Sequence, residues 1–254
     1  MGVQWREKHY IHSDNCDYKK RCKLSTLLEW MQRAGDAQLG HYGVSLDEMI
    51  RQGMAWMLVT IDLEWKRLPV YGETIEIVTW NRGATGVQWQ RDFRIYGPDG
   101  VDWVAQARTS WVLVDLNKRR ILRASACPYD LPVHPDDCVG GMPRKVEVPA
   151  GLNQEHAYEM TVRLSSIDMN GHLNNARFGD ICLDAMQPDE LERGLSRFRI
   201  TYHREAVLND KITVIRSAWQ DGHCFISGLS DEGTAYFDAL IAADRDEMQR
   251  NEVE

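Results

Sequence analysis

The sequence predicts an α+β protein made of two similar units, each an antiparallel sheet curled round one helix. Three observations carry this: an amphipathic helical stripe followed by a meander of short strands, a second copy of that order, and a proline-rich stretch between the copies. In the first copy Leu24, Leu27, Leu28 and Met31 fall at i, i+3, i+4 and i+7, the stripe of a helix with one buried face. Phe178, Ile181, Cys182 and Ala185 repeat those intervals in the second copy. Asp17 and Asp168, Leu27 and Phe178, and Met31 and Cys182 are each separated by 151 residues. Further on, Trp65, Lys66 and Arg67 match Tyr202, His203 and Arg204 at an offset of 137. The missing 14 residues are assigned to an extra segment at 45–52, read as a short additional helix of the first unit.

Strands follow each helix. Ile75 and Ile77 alternate with Thr74 and Glu76, and Val87, Trp89, Phe93 and Ile95 line one face of the next strand, interrupted by Arg91. Gly97, Pro98, Asp99 and Gly100 make a turn into a long strand over 103–115. The second unit repeats this with strands at 212–214, 225–229 and 236–243 and a turn at 230–233. A sheet of this kind buries its apolar face by wrapping the helix, and two such units can pair as a quasi-symmetric dimer does. Pro128, Pro132, Pro135, Pro143 and Pro149, with Gly140 and Gly141, mark an extended linker. The expected division is therefore a first unit at 1–124, a linker at 125–154 and a second unit at 155–254, whose charged end from 245 frays.

Composition narrows the function classes. The 254 residues are 43% hydrophobic, enough for substantial cores. With 30 Lys and Arg against 38 Asp and Glu, the net charge is −8, which argues against a nucleic-acid partner. Mean hydropathy is −0.46. The best apolar run, 55–61, falls far short of the ~18 residues of a membrane span. With no apolar signal core in the first residues, the expectation is a soluble, cytoplasmic protein without a membrane partner. The six cysteines include no C-x-x-C pair, so free thiols are expected and a cysteine zinc site is not.

The chemistry concentrates just before the second helix. Asp168, Asn170 and His172 place an acid, an amide and an imidazole within five residues. Asn174 and Asn175 follow at the expected helix start, where unpaired backbone N–H groups can hold a developing oxyanion. Such a run can also serve only to cap a helix. The repeat argues for more, because the first unit keeps Asp17 but has Lys19 and Arg21 where Asn170 and His172 stand. Likewise Leu68 is matched by Glu205, an acid at an apolar position of a duplicated scaffold. One unit carries the reactive set and the other does not.

The pattern Asp168, Asn170, His172, Asn174, Asn175 resembles the signature of hotdog-fold acyl thioesterases. Two such units in one chain resemble the acyl-acyl-carrier-protein thioesterases of plants and bacteria. Residues 23–28, 109–115 leading to Arg119 and Arg120, and 202–205 support that narrower likeness. The resemblance implies two tandem hotdog units, the first an acyl pocket and the second catalytic, with Asp168, Asn170, His172 and Glu205 forming the network. It also implies a thiolester hydrolase of fatty acid biosynthesis that releases free acid and ends chain elongation. The plant enzymes usually carry a Cys directly after the Glu, and here the residue is Ala206. Cys182 and Cys224 therefore need not be recruited, and the expected reaction is hydrolysis with Glu205 or Asp168 as base or nucleophile. A metal site from Asp168, His172, His203 and Glu205 matches no strong zinc spacing, although His203 and Glu205, two apart on an expected strand, should face alike. No metal or other cofactor is expected.

Acyl carrier protein, the partner implied, is acidic, and basic runs in this acidic chain suit it. Candidates are Lys118, Arg119 and Arg120, with Arg197 and Arg199; residues 19–23 are also basic. Trp30, Trp56 and Trp111 are candidates to line an acyl tunnel. The chain is expected as a monomer with an internal pseudo-dimer, or as a homodimer. Alternatives are a hotdog acyl-CoA thioesterase, a double-hotdog hydratase, against which Gly171 argues, and a non-catalytic acyl-binding module, which would not need Glu205.

Overall fold

A computed structural model describes residues 4–134 and 136–243, so Pro135 and the charged tail lie outside the described residues. The chain divides into two compact units, Met1–Arg144 and Lys145–Glu254. In the first unit the order is β1 (Trp5–Tyr10), α1 (Leu24–His41), α2 (Leu46–Arg51), β2 (Met54–Trp65), β3 (Thr74–Thr85), β4 (Gln88–Tyr96), β5 (Trp103–Asp115) and β6 (Arg120–Leu122). The strands pair antiparallel in the order β1-β3-β4-β5-β2, with β6 added to β5. Helix α1 buries the predicted stripe of Leu24, Leu27, Leu28 and Met31, with Ala34 continuing it, and packs on β1 and β3.

The second unit holds β7 (Gln154–Thr161), α3 (Arg177–Asp184), β8 (Leu195–Tyr202), β9 (Lys211–Ser217), β10 (His223–Leu229) and β11 (Ala235–Ala243). Its antiparallel order is β8-β11-β10-β9-β7. Phe178 anchors α3 edge-on between Tyr202 and Phe237, at 5.4 and 5.2 Å.

The repeat holds bond for bond. Asp17 N–H donates to the Arg21 carbonyl at 2.8 Å, and Asp168 N–H donates to that of His172 at 2.9 Å. Lys23 and Asn174 donate to Asn15 and Ser166, and Cys22 and Leu173 donate to Pro69 and Ala206. Val70 N–H meets the Glu73 carboxylate at 3.0 Å, and Val207 N–H meets that of Asp210 at 2.9 Å. The extra helix expected at 45–52 is α2, but it does not explain the whole 14-residue difference. Much of that difference lies in the central helix itself, 18 residues in α1 and eight in α3. The second stripe stops early because Ala185 is already the C-terminal cap and Pro188 follows.

The proline-rich segment holds no helix or strand among its described residues from 127 to 153, and it is not a detached tether. Arg91 of β4 points at α1, where a Cβ on Gly35 would sit 3.5 Å from its side chain. Strand alternation turns Gln90 and Asp92 to the opposite face, and the segment lies across them. Val139 N–H donates to Asp92, Gln90 donates to the Gly140 carbonyl, and Trp80 donates to the Asp137 carbonyl, at 2.9, 2.9 and 2.8 Å. Arg82 binds the carbonyls of His134 and Asp137, both at 2.7 Å. The buried polar groups of this sheet face thus satisfy the backbone laid over them.

Candidate active site

Residues 167–173 form a tight turn closed by an antiparallel bridge between Ile167 and Leu173. The Asp168 carboxylate accepts the Asn170 N–H at 2.8 Å and its carbonyl accepts the Gly171 N–H at 3.0 Å. Gly171 has φ +82°, the left-handed conformation that favours glycine. A bridge from His172 to Val207, beside the bond from Leu173 to Ala206, ties this turn to the segment that follows β8. His172 Nε2 and Glu205 Oε2 thereby come within 3.2 Å, with 31% and 46% of their side chains exposed. That exposure leaves the pair open to water and to a substrate.

Asn170 lies exposed in the turn, and among the described residues its side-chain amide has no hydrogen-bond partner. Asn174 Oδ1 accepts the Ala176 N–H at 2.9 Å, opening the turn that leads into α3 at Arg177. The Asn175 carbonyl accepts the Tyr202 hydroxyl at 2.9 Å. Burial pushes that hydroxyl well above its ordinary pKa, so it stays a donor. The expectation that His203 and Glu205 face alike fails, because β8 stops at Tyr202. His203 bonds Asp238 at 2.8 Å while Glu205 turns to His172. Among the described residues no group of three or more His, Cys, Asp or Glu is placed to hold a metal ion. Cys182 and Cys224 are fully buried, and burial pushes both thiols up, which suits core packing rather than nucleophilic attack.

The matching turn of the first unit is chemically closed. Asp17 accepts the N–H groups of Lys19 and Arg21 at 2.9 Å each. The Arg21 side chain adds a bond from Nε at 3.0 Å and an ion pair from Nη2 at 2.9 Å. Lys20, at the position of Gly171, adopts φ +64° despite its side chain.

The other candidates are spread out. Lys118, Arg119 and Arg120 are exposed around the β5–β6 turn of the first unit, where Asp115 accepts the Asn117 and Lys118 N–H groups. Arg197 and Arg199 are half-buried on β8 of the second unit. Trp30 stacks on His9 at 4.5 Å, Trp56 meets Trp89 at 5.8 Å, and Trp111 donates to Thr109 at 2.8 Å. Trp89 also pairs with Trp111 between β4 and β5, whereas Trp30 sits apart on α1.

Sequence reasoning missed a buried network beyond the end of α3. Arg216 makes two 2.6 Å bonds to Glu190, and it also donates to the Ala185 carbonyl at 2.9 Å. Trp219 donates to the same carboxylate at 2.8 Å. Burial alone would raise the Glu190 pKa, but the Arg216 and Gln187 hydrogen bonds leave it below its ordinary value. The available signal was Arg216 itself, third in the alternating stripe of Ile212 and Val214 on β9.

An antiparallel sheet with a central helix, twice in one chain, with an exposed His172–Glu205 pair in the second copy, defines a double-hotdog protein. Its described structure is similar to an acyl-ACP thioesterase from Bacteroides thetaiotaomicron, with TM-score 0.78, 17% identity, and coverage of 95% of this chain and 98% of that one. It is also similar to the 12:0-ACP thioesterase from Umbellularia californica, with TM-score 0.77, 17% identity, and coverage of 96% and 98%. The acyl-ACP thioesterase N-terminal domain matches residues 2–126 and the C-terminal domain matches 150–248, and the chain belongs to that family. Among curated relatives, the acyl-[acyl-carrier-protein] hydrolase FATB3, chloroplastic, of Cuphea viscosissima is 24% identical over 80% of this chain and 52% of its own length. The oleoyl-acyl carrier protein thioesterase 1, chloroplastic, of Arabidopsis thaliana is 22% identical over 83% and 63%. The chain thus spans between half and two thirds of the length of these relatives.

Proposed function

We propose that this protein hydrolyses the thioester of fatty acyl-acyl carrier protein, releasing the free fatty acid and ending chain elongation. The observation that carries the reading is the exposed His172–Glu205 pair at 3.2 Å, joined to the Asp168 turn within a chain of this family. A carboxylate, Glu205 or Asp168, takes a proton from water, or itself attacks the thioester carbonyl. His172 and Asn170 orient the reacting groups, and the Asn175 N–H beside the turn into α3 receives the oxyanion, since Asn174 holds the Ala176 and Arg177 N–H groups. Collapse of the tetrahedral intermediate expels the carrier's thiolate, which takes up a proton to leave as the thiol. Where the carboxylate is the nucleophile, water then hydrolyses the resulting mixed anhydride to release the fatty acid and restore the carboxylate. The exposed Lys118, Arg119 and Arg120 steer the acidic carrier protein, with Arg197 and Arg199 as weaker candidates.

The test is thiol release by purified protein from acyl-acyl carrier protein and from the matching acyl-CoA. Faster hydrolysis of the carrier-protein ester is expected. Equal or faster hydrolysis of the CoA ester removes the carrier claim, and activity confined to enoyl thioesters replaces the reaction class with a hydratase.

A further inference from the structure

Glu205 stands three residues beyond the end of β8, on a segment without strand hydrogen bonds of its own, so something else must fix its carboxylate. Its backbone approach is held by His203 and Arg204, whose N–H groups both donate to the Tyr236 carbonyl, at 2.9 and 3.4 Å. That pair of bonds is common to both units: Lys66 and Arg67 make it to the Val104 carbonyl, at the same 2.9 and 3.4 Å, ahead of Leu68. The side-chain anchor differs. His203 Nε2 bonds Asp238 Oδ2 at 2.8 Å, and Ser227 Oγ donates to Asp238 Oδ1 at 2.6 Å. Arg204 lies over the Tyr236 ring at 4.6 Å.

The strand registers identify the counterparts in the first unit. Thr201 faces Asp238 as Glu64 faces Gln106, and Ser227 faces Asp238 as Arg94 faces Gln106. Lys66, Gln106 and Arg94 therefore occupy the places of His203, Asp238 and Ser227. Lys66 reaches over the Trp103 ring at 4.0 Å instead of bonding an acid. The unit with the acid at 205 is the unit with the carboxylate-held imidazole two residues before it.

We propose that His203, clamped by Asp238 and Ser227, is a positioning residue that aims Glu205 at His172. The proposal rests on the reading of Glu205 as part of the active site. A rigid imidazole bonded to a doubly occupied carboxylate removes the freedom of the chain just upstream of Glu205, and misplacement by ~1 Å costs as much as ~100-fold in rate.

The experiment compares His203→Leu, His203→Gln, Glu205→Gln and the double variant His203→Leu/Glu205→Gln. Glutamine keeps an N–H donor near the place of Nε2, whereas leucine keeps volume only. His203→Leu is expected to lower kcat about 10-fold with KM within about 2-fold, and His203→Gln to restore most of it. In the Glu205→Gln background His203→Leu should cost nothing further. The ring 15N resonances of His172, which report its bond to Glu205, should move in His203→Leu to where Glu205→Gln puts them. Wild-type kcat and unmoved His172 resonances in His203→Leu overturn the positioning role while leaving the thioesterase reading intact. If the wild-type protein hydrolyses no acyl thioester, that reading falls, and the His172 resonances still decide the positioning role.

Discussion

The turns at 17–21 and 168–172 share a backbone and differ in what surrounds their carboxylates. Asp17 is saturated by two N–H groups and the Arg21 guanidinium. Asp168 takes the Asn170 N–H, and the side chain at the place of Arg21 is a histidine drawn away to Glu205. The turn is therefore a scaffold property, and on the proposed reading reactivity comes from what is withdrawn from the acid and what faces the imidazole. On that reading the first copy is silent because its carboxylate is paired, with no change of fold.

The largest expected effect sharpens that contrast. Glu205→Gln and Asp168→Asn should each lower kcat by about 100-fold or more, with the fold retained by circular dichroism. Asp17→Asn should leave kcat within about 2-fold and cost about 1 kcal/mol or less of stability, because its ion pair is partly exposed. An equal loss of turnover in Asp17→Asn would break the comparison.

Next comes stability. Arg216→Met leaves Glu190 buried without its cation and should cost about 3–5 kcal/mol in urea unfolding, against about 1 kcal/mol or less for Arg21→Met. Similar costs would mean that the buried network does not hold the short second helix. Smaller again are the turn tips. Gly171→Ala should destabilise by about 1 kcal/mol, and Lys20→Gly should be neutral or stabilise by up to about 1 kcal/mol, since both positions are left-handed. A gain from Gly171→Ala would refute this.

The smallest contrast is in acid. Burial lowers the His9 pKa from 6.5, against the pull of Glu7. The unfolded chain therefore binds a proton first, and stability falls as pH drops below 6.5. His9→Gln should flatten that slope in thermal melts as the pH falls from 7 through 6.5. Glu190, lowered from 4.5, contributes stability that is present above 4.5 and lost only as pH falls through its folded value. An unchanged slope in His9→Gln would assign the mild-acid sensitivity elsewhere.

Much of this architecture was legible because it rests on periodicity: the stripe of α1, the alternation of β3 to β5, and the two offsets all follow from which side chains must be buried. The polar cluster at 168–172 and Glu205 stood out only because a first copy existed for comparison. The stop of α3 is signalled by Pro188, whereas the Arg216 bond that receives its last Ala185 carbonyl comes from 31 residues away and no local pattern shows it. The opposed directions of His203 and Glu205 were hidden because strand alternation was extended past the true end of β8. Nothing local to Gln90 and Asp92 reveals that backbone from 139–140 lies over them.

That overlying segment sets where the molecule can be cut. A fragment or chimera joined at 124 would strip Asp92 of the Val139 N–H, Trp80 of the Asp137 carbonyl and Arg82 of both its carbonyl acceptors. It would open a charged scar on the sheet and invite aggregation. Anyone exchanging first units between members of this family should carry the proline-rich strip along as part of the insert, with the junction at 144/145.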